Sequence, residues 1–381
     1  MSEECTVACY YFPNYHVDPR NEAVHGPGWS EWELVKRAEP RYEGHRQPRV
    51  PLWGYDDESD PIAMAHKIAT AADHGIDAFI FDWYWYDDGP FLERGLDRGF
   101  LGAANNDRIR FSLMWANHDW LDIHPAKLGG VGPHAPLLYP GKITPQTWDT
   151  LTDRVIERYF CHRSYWLLDD CPYFSVYELS KLLASFGGIG ETREALQFFR
   201  RKVKRAGFRD LHLNAVVWSM HLLPGETAVK DPNELLRALG FDSITSYVWV
   251  HHGALEQFPE TDYMQAWARY SDYWAQAEDA FDLPYWPNVT MGWDPSPRTV
   301  QSDAYLNAGY PFTPILSNNT PERFWEVLVT ARRRLLQRST QKILTINAWN
   351  EWTEGSYLEP DTEHGMAYLE AIRDVFGTGV T

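Results

Sequence analysis

Near the C-terminus, the stretch KILTINAWNEWTEGSYLEPD (342–361) puts three glutamates, Glu351, Glu354 and Glu359, beside Asn350, Trp349, Trp352 and Gly355. Carboxyl groups a few residues apart can do two jobs at one bond: one gives a proton to a leaving oxygen while the other takes one up. With flat aromatic faces beside them, that combination suits cleavage of a glycosidic bond. The segment opens as an apolar run, Ile343 to Ile346, and turns polar abruptly, which reads as a buried strand whose C-terminal tip opens onto a site. In a straight strand, residues three apart face opposite ways. Glu351 and Glu354 therefore reach one cavity only if the chain turns after Glu351, and Thr353 and Gly355 supply such a turn.

A scaffold has to hold that tip. Eight apolar, β-branched or aromatic runs recur along the chain: Thr6 to Phe12, Ala78 to Tyr84, Ile109 to Trp115, Tyr173 to Tyr177, Leu211 to Val217, Ser243 to Val248, Tyr285 to Met291 and Ile343 to Ala348. Helical patterns separate them. One starts with Asp60 as its cap, Pro61 at its first position and Gly75 as its stop. Others open at Thr144-Pro145, Asp231-Pro232 and Thr320-Pro321, and the remainder cover Glu191 to Ala206, Thr261 to Ala280 and Glu363 to Phe376. Strand and helix alternating eight times, with no Gly-rich phosphate loop after the first strand, predicts a (β/α)8 TIM barrel in one domain spanning 1–381.

Such barrels need about 250 residues, so this chain of 381 has long loops to spare. The longest follow strands one (13–60), three (117–143) and seven (292–319), all on the C-terminal face where barrels keep their active sites. The strand tips carry polar and aromatic residues: Tyr11, Asp82 with Trp83, Asn117 with His118, Glu178, Tyr247, Trp293 and Asn350. Amides and carboxyls suit sugar hydroxyls, and rings suit sugar faces. We expect these residues, with Trp29, Glu31 and Trp32 of the first long loop, to contact a carbohydrate.

Composition agrees with that class. Aromatic residues make up 15% of the chain, and the formal net charge of −18 repels a nucleic-acid backbone. No zinc-type spacing of His or Cys is present, so no metal and no cofactor is expected. Four cysteines are too few for a disulfide framework, leaving Cys161 with Cys171 as the one conceivable bridge. No membrane span or signal peptide is visible, and the chain reads as cytoplasmic.

The segments YYFPNYH (10–16), GWSEWELVKRAEP (28–40), YEGHRQPRVPL (42–52), HGIDAFIFDWYWY (74–86), MWANHDW (114–120) and NAWNEWTEGSYLEPD (347–361) resemble the WbsX-like proteins. That group is related to glycoside hydrolase family 99, the endo-α-mannosidases and endo-α-mannanases, chiefly through WNEWTEG. The resemblance implies a barrel that cleaves α-glycosides with retention. It implies Glu354 as the acid/base that protonates the leaving oxygen. Glu351 would take the proton of the sugar's own 2-hydroxyl, which attacks C1 to give a 1,2-anhydro sugar. WbsX-like proteins are also labelled glycosyltransferases, so transfer in polysaccharide assembly is the alternative activity.

A rival hydrolase arrangement pairs Glu178 as acid/base with Glu351 as nucleophile, the two about 5–5.5 Å apart. In the first arrangement the acid is expected to have its pKa raised by Trp349 and Trp352, with the base ionised.

Overall fold

A computed structural model describes residues 5–218, 231–253, 255–338 and 341–377. Eight strand positions alternate with helices. They are β1 (Thr6–Tyr11), β2 (Ala78–Tyr86), β3 (Arg110–Trp115), β4 (Cys171–Val176), β5 (His212–Val216) and β6 (Ser243–Thr245). β7 comes in two pieces, Tyr285–Trp286 and Asn288–Thr290, and β8 is Ile343–Asn347. All neighbouring pairs are parallel. The first piece of β7 pairs with β6 and the second with β8, so the sheet closes on itself through residues 285–290. This is the (β/α)8 barrel that the alternation predicts.

The strands read as near-continuous apolar runs because both faces are covered: all nine residues of β2 are buried. The barrel centre, however, is partly polar. Asn214 hydrogen-bonds both Ser175 (2.9 Å) and Ser243 (2.8 Å), and Asn288 donates to Thr345 (3.2 Å). Each buried polar atom in this chain of contacts meets another, which removes the cost of burying it alone.

Helix boundaries follow local signals. Asp60 caps Pro61–Asp73 by accepting from the Ile62 N–H (2.9 Å), and Gly75 leaves the helix at φ +83°. Asp231-Pro232 opens Pro232–Leu239 in the same way. The pattern from Thr144 splits into Pro145–Arg154 and a wider turn, Val155–Phe160. The last helix starts at Ala367 rather than Glu363, because Asp361 accepts the N–H groups of Glu363 and His364 and holds them in a turn. Cys161 and Cys171 are free thiols. Among the described residues, no helix is long and apolar enough to cross a membrane.

Candidate active site

Past β8 the chain doubles back. Asn350–Glu351 pairs antiparallel with Ser356–Tyr357, joined by one 3-10 turn, Trp352–Glu354, and Gly355 at φ +63°. A residue with a side chain is unsuited to that position twice over. The left-handed conformation disfavours it, and a Cβ on Gly355 would lie 2.7 Å from the Asp294 Cβ. This tight hairpin resolves the strand-geometry objection, and Glu351 and Glu354 line one cleft of about 480 Å³.

The two carboxyls differ sharply. Glu354 Oε1 is held by the Arg298 guanidinium and accepts the Tyr310 hydroxyl (2.6 Å). Arg298 Nε also binds Glu31 (2.9 Å) and the Thr353 hydroxyl (2.9 Å), so one buried arginine bridges two carboxylates. Burial disfavours its charge, but the carboxylates of Glu31 and Glu354 keep it firmly cationic. Glu351, by contrast, has a buried Oε2 without a hydrogen-bond partner. Burial first, then the charge of Glu354, pushes its carboxyl well above the usual carboxylate range, against the opposing charge of Arg298. The expectation was a rise at Glu354 caused by Trp349 and Trp352.

The tryptophans expected to raise it serve another carboxyl. Trp349 and Trp352 donate to Glu359 (2.9 and 2.7 Å), which also pairs with buried Lys67 (2.7 Å). Glu359 is a structural anchor beneath the hairpin.

A third carboxyl, Asp82, lines the same cleft, with Oδ2 accepting from Tyr247 (2.8 Å) and Oδ1 unpartnered. Burial drives it well above the ordinary aspartate range, opposed by the Tyr247 hydrogen bond. His118, Tyr247 and Trp293 also line the cleft, as their strand-tip positions predict.

The other expected contacts sit elsewhere. Tyr11 and Trp83 face the helices because side chains alternate along a strand. Tyr11 stacks on Phe81 (4.6 Å) and bonds Glu58 (3.0 Å), while Trp83 packs on Trp85 (5.4 Å). Their neighbours Phe12 and Tyr84 take the lining positions.

Asn350 and Asn117 are clasps. Each amide matches the donor and acceptor of one residue's backbone: Asn350 on Phe12 (2.8 and 2.8 Å) and Asn117 on Glu178 (2.8 and 2.8 Å). Glu178 turns its carboxylate to the Ser180 hydroxyl (2.5 Å) and is not among the lining residues of the cleft.

The first long loop buttresses the cleft rather than lining it. Trp29 stacks on His25 (4.1 Å), Trp32 donates to the Asp56 carbonyl (2.7 Å), and Glu31 holds Arg298. From the same loop, His45 and Gln47 grip Asp294 at 2.8 and 2.7 Å. Burial alone would raise the Asp294 carboxyl, yet the hydrogen bond and charge of His45 hold it down at about 2. Arg298 and Tyr310 escaped sequence reasoning because loop 292–319 has no periodicity. The one available signal was that Arg298 is the sole Lys or Arg in that stretch.

Among the described residues, no group of three or more His, Cys, Asp or Glu side chains could hold a metal ion. The family model for glycosyltransferase WbsX matches residues 7–372. The chain belongs to the WbsX family. A curated relative of this WbsX-family chain, the uncharacterized protein WxcX of Xanthomonas campestris pv. campestris, is 28% identical over 382 residues, covering 97% of this chain and 49% of WxcX. The chain thus spans about half the length of the curated relatives it matches.

Among solved structures, the GH99 endo-alpha-mannosidase from Bacteroides thetaiotaomicron superposes with TM-score 0.55 at 13% identity, covering 99% of this chain and 97% of that one. A glycoside hydrolase-like protein gives TM-score 0.59 at 13% identity, covering 99% and 95%. These likenesses are of fold.

Proposed function

We propose that this WbsX-family chain cleaves an α-glycosidic bond in a glycan, with Glu354 and Glu351 handling the protons. The observation that carries the reading is the contrast between two carboxyls lining one cleft: Glu354 is paired with Arg298 and Tyr310, whereas Glu351 keeps a buried oxygen without a partner. One acid and one base are what glycoside cleavage requires.

The pair shares one proton. With the sugar's 2-hydroxyl on Glu351, that proton is on Glu354. Glu354 then gives it to the leaving oxygen as the C1–O bond breaks. Glu351 takes the 2-hydroxyl proton as that oxygen closes on C1. Water opens the resulting 1,2-anhydro sugar with the two roles reversed. Asp82, Tyr247, His118 and Trp293 hold the ring.

Glycosyl transfer from a nucleotide sugar is the second reading, favoured by the family's description. Weighing against it, the described lining includes Asp82, Asp119, Glu351 and Glu354 but a single Lys or Arg, Arg298, which is already bound to Glu31 and Glu354. A diphosphate entering that field would be repelled. Incubation with surface polysaccharide or aryl α-glycosides decides between the readings. Release of reducing sugar without any nucleotide donor supports cleavage. Product formation that depends strictly on a nucleotide sugar overturns it.

A further inference from the structure

We infer that the sugar held in this cleft carries a methyl group where an ordinary hexose carries its 6-hydroxyl, making the substrate class a glycan of 6-deoxyhexoses. The inference rests on the glycan-cleaving reading and narrows it.

The lining divides by chemistry. Three buried polar atoms without partners belong to the acid cluster: Asp82 Oδ1, Glu351 Oε2 and Arg298 Nη2. Together they offer acceptors and a donor for two or three ring hydroxyls. Beyond that cluster, His251 Nδ1 is a further lining atom buried without a partner, and five of the other lining residues are aliphatic. Leu121, Ile123, Val248, Val250 and Leu255 present only aliphatic side chains.

Flat stacks stand among them, Trp120 on His124 (9° between planes) and Trp218 on His251 (6°). Burial keeps these imidazoles neutral, with His251 lowered to about 3 and His124 also well below the ordinary histidine range. Aromatic faces accept the C–H face of any sugar and so discriminate little. The aliphatic side chains, Leu121 with Ile123 in one cluster and Val248, Val250 and Leu255 in another, are different. A hydroxymethyl group pressed on them loses its water without gaining a partner, whereas a methyl group gains from burial.

Calorimetry on Glu354→Gln tests this, since binding is read without turnover. The probes are methyl α-glycosides in matched pairs: L-rhamnoside with L-mannoside, L-fucoside with L-galactoside, and D-rhamnoside with D-mannoside. In at least one pair the 6-deoxy member binds tighter by on the order of 10–100-fold, the range an apolar pocket reaches against an added hydroxyl. Val250→Thr and Val248→Thr then shrink that ratio.

Equal or tighter binding of the hydroxylated member in every pair overturns the inference, and so does saturable binding of none. If discrimination follows a long alkyl aglycone instead of the sugar, the apolar lining serves the leaving group, and the inference is likewise overturned. Wild-type protein that binds 6-deoxy glycosides selectively but releases no sugar would sink the cleavage reading and leave this one standing. Equal cleavage of both members of each pair would do the reverse.

Discussion

Arg298 grips Glu354 in a buried ion pair while its Nε reaches back to Glu31, a residue from the opposite end of the chain. The charge on Glu354 is thus set by an arginine that Glu354 must share. That sharing organises the site's proton balance.

Glu31→Gln leaves Arg298 with one anion fewer and concentrates its positive charge on Glu354 and Glu351. A stronger cation makes both carboxyls more acidic. The alkaline limb of kcat/KM, where the catalytic acid loses its proton, therefore moves to lower pH. A pH–rate profile of the variant checks this, and an unchanged limb with intact fold would remove Glu31 from the electrostatics.

Arg298→Met removes the cation and strands two buried carboxylates. Breaking a buried pair in this way costs about 3–5 kcal/mol. Urea unfolding should show a loss of that order, with activity lost as well. A fully stable variant would mean that Glu31 and Glu354 find other partners.

Gly355→Ala strains the hairpin that brings Glu351 beside Glu354. The left-handed backbone alone costs about 1–2 kcal/mol, and the clash with Asp294 adds to it. Activity should fall further than stability, because the turn displaces Glu354. Equal activity in the variant would show that the hairpin geometry is not needed.

Acid stability carries two opposite signatures. The folded-state pKa of Asp294 is depressed to about 2, so its contribution is present above the unfolded aspartate value of about 3.9 and is lost as pH falls toward 2. Asp82 is raised, so the folded protein holds its proton more tightly than the unfolded chain does. Its contribution is greatest below about 3.9 and drains away as pH rises through its folded value. Thermal midpoints from pH 2 to 8 should therefore drop less in acid for Asp294→Asn, from a lower plateau. For Asp82→Asn they should fall less between acid and neutral pH than in the wild type.

The barrel was legible because its strands are buried on both faces and its helices carry Asp-Pro and Thr-Pro starts. The WNEWTEG pair was legible because carboxyls at a strand end are costly unless they have a task. The parity of the tips was harder. Tyr11 and Trp83 were expected at the cleft with Asp82, and Phe12 and Tyr84 join Asp82 there instead, a distinction that rests on which face of β1 and β2 points inward. Asn350 and Asn117 looked like sugar ligands because an amide that clasps a backbone and one that binds a hydroxyl are the same residue in a sequence. Arg298 joins Glu31 across 267 positions, a contact no local pattern encodes.

The proton assignment is tested most directly by leaving-group dependence. kcat/KM of Glu354→Gln and Glu351→Gln is measured on two α-glycosides of one sugar, one with phenol and one with dinitrophenol as leaving group. General acid catalysis is worth about 10²–10⁴-fold, and a leaving group that departs unaided does not need it. Glu354→Gln should lose on that order with phenol and recover most of it with dinitrophenol, while Glu351→Gln stays low on both. Rescue of Glu351→Gln instead, or near wild-type turnover of the phenyl glycoside by Glu354→Gln, would contradict the account.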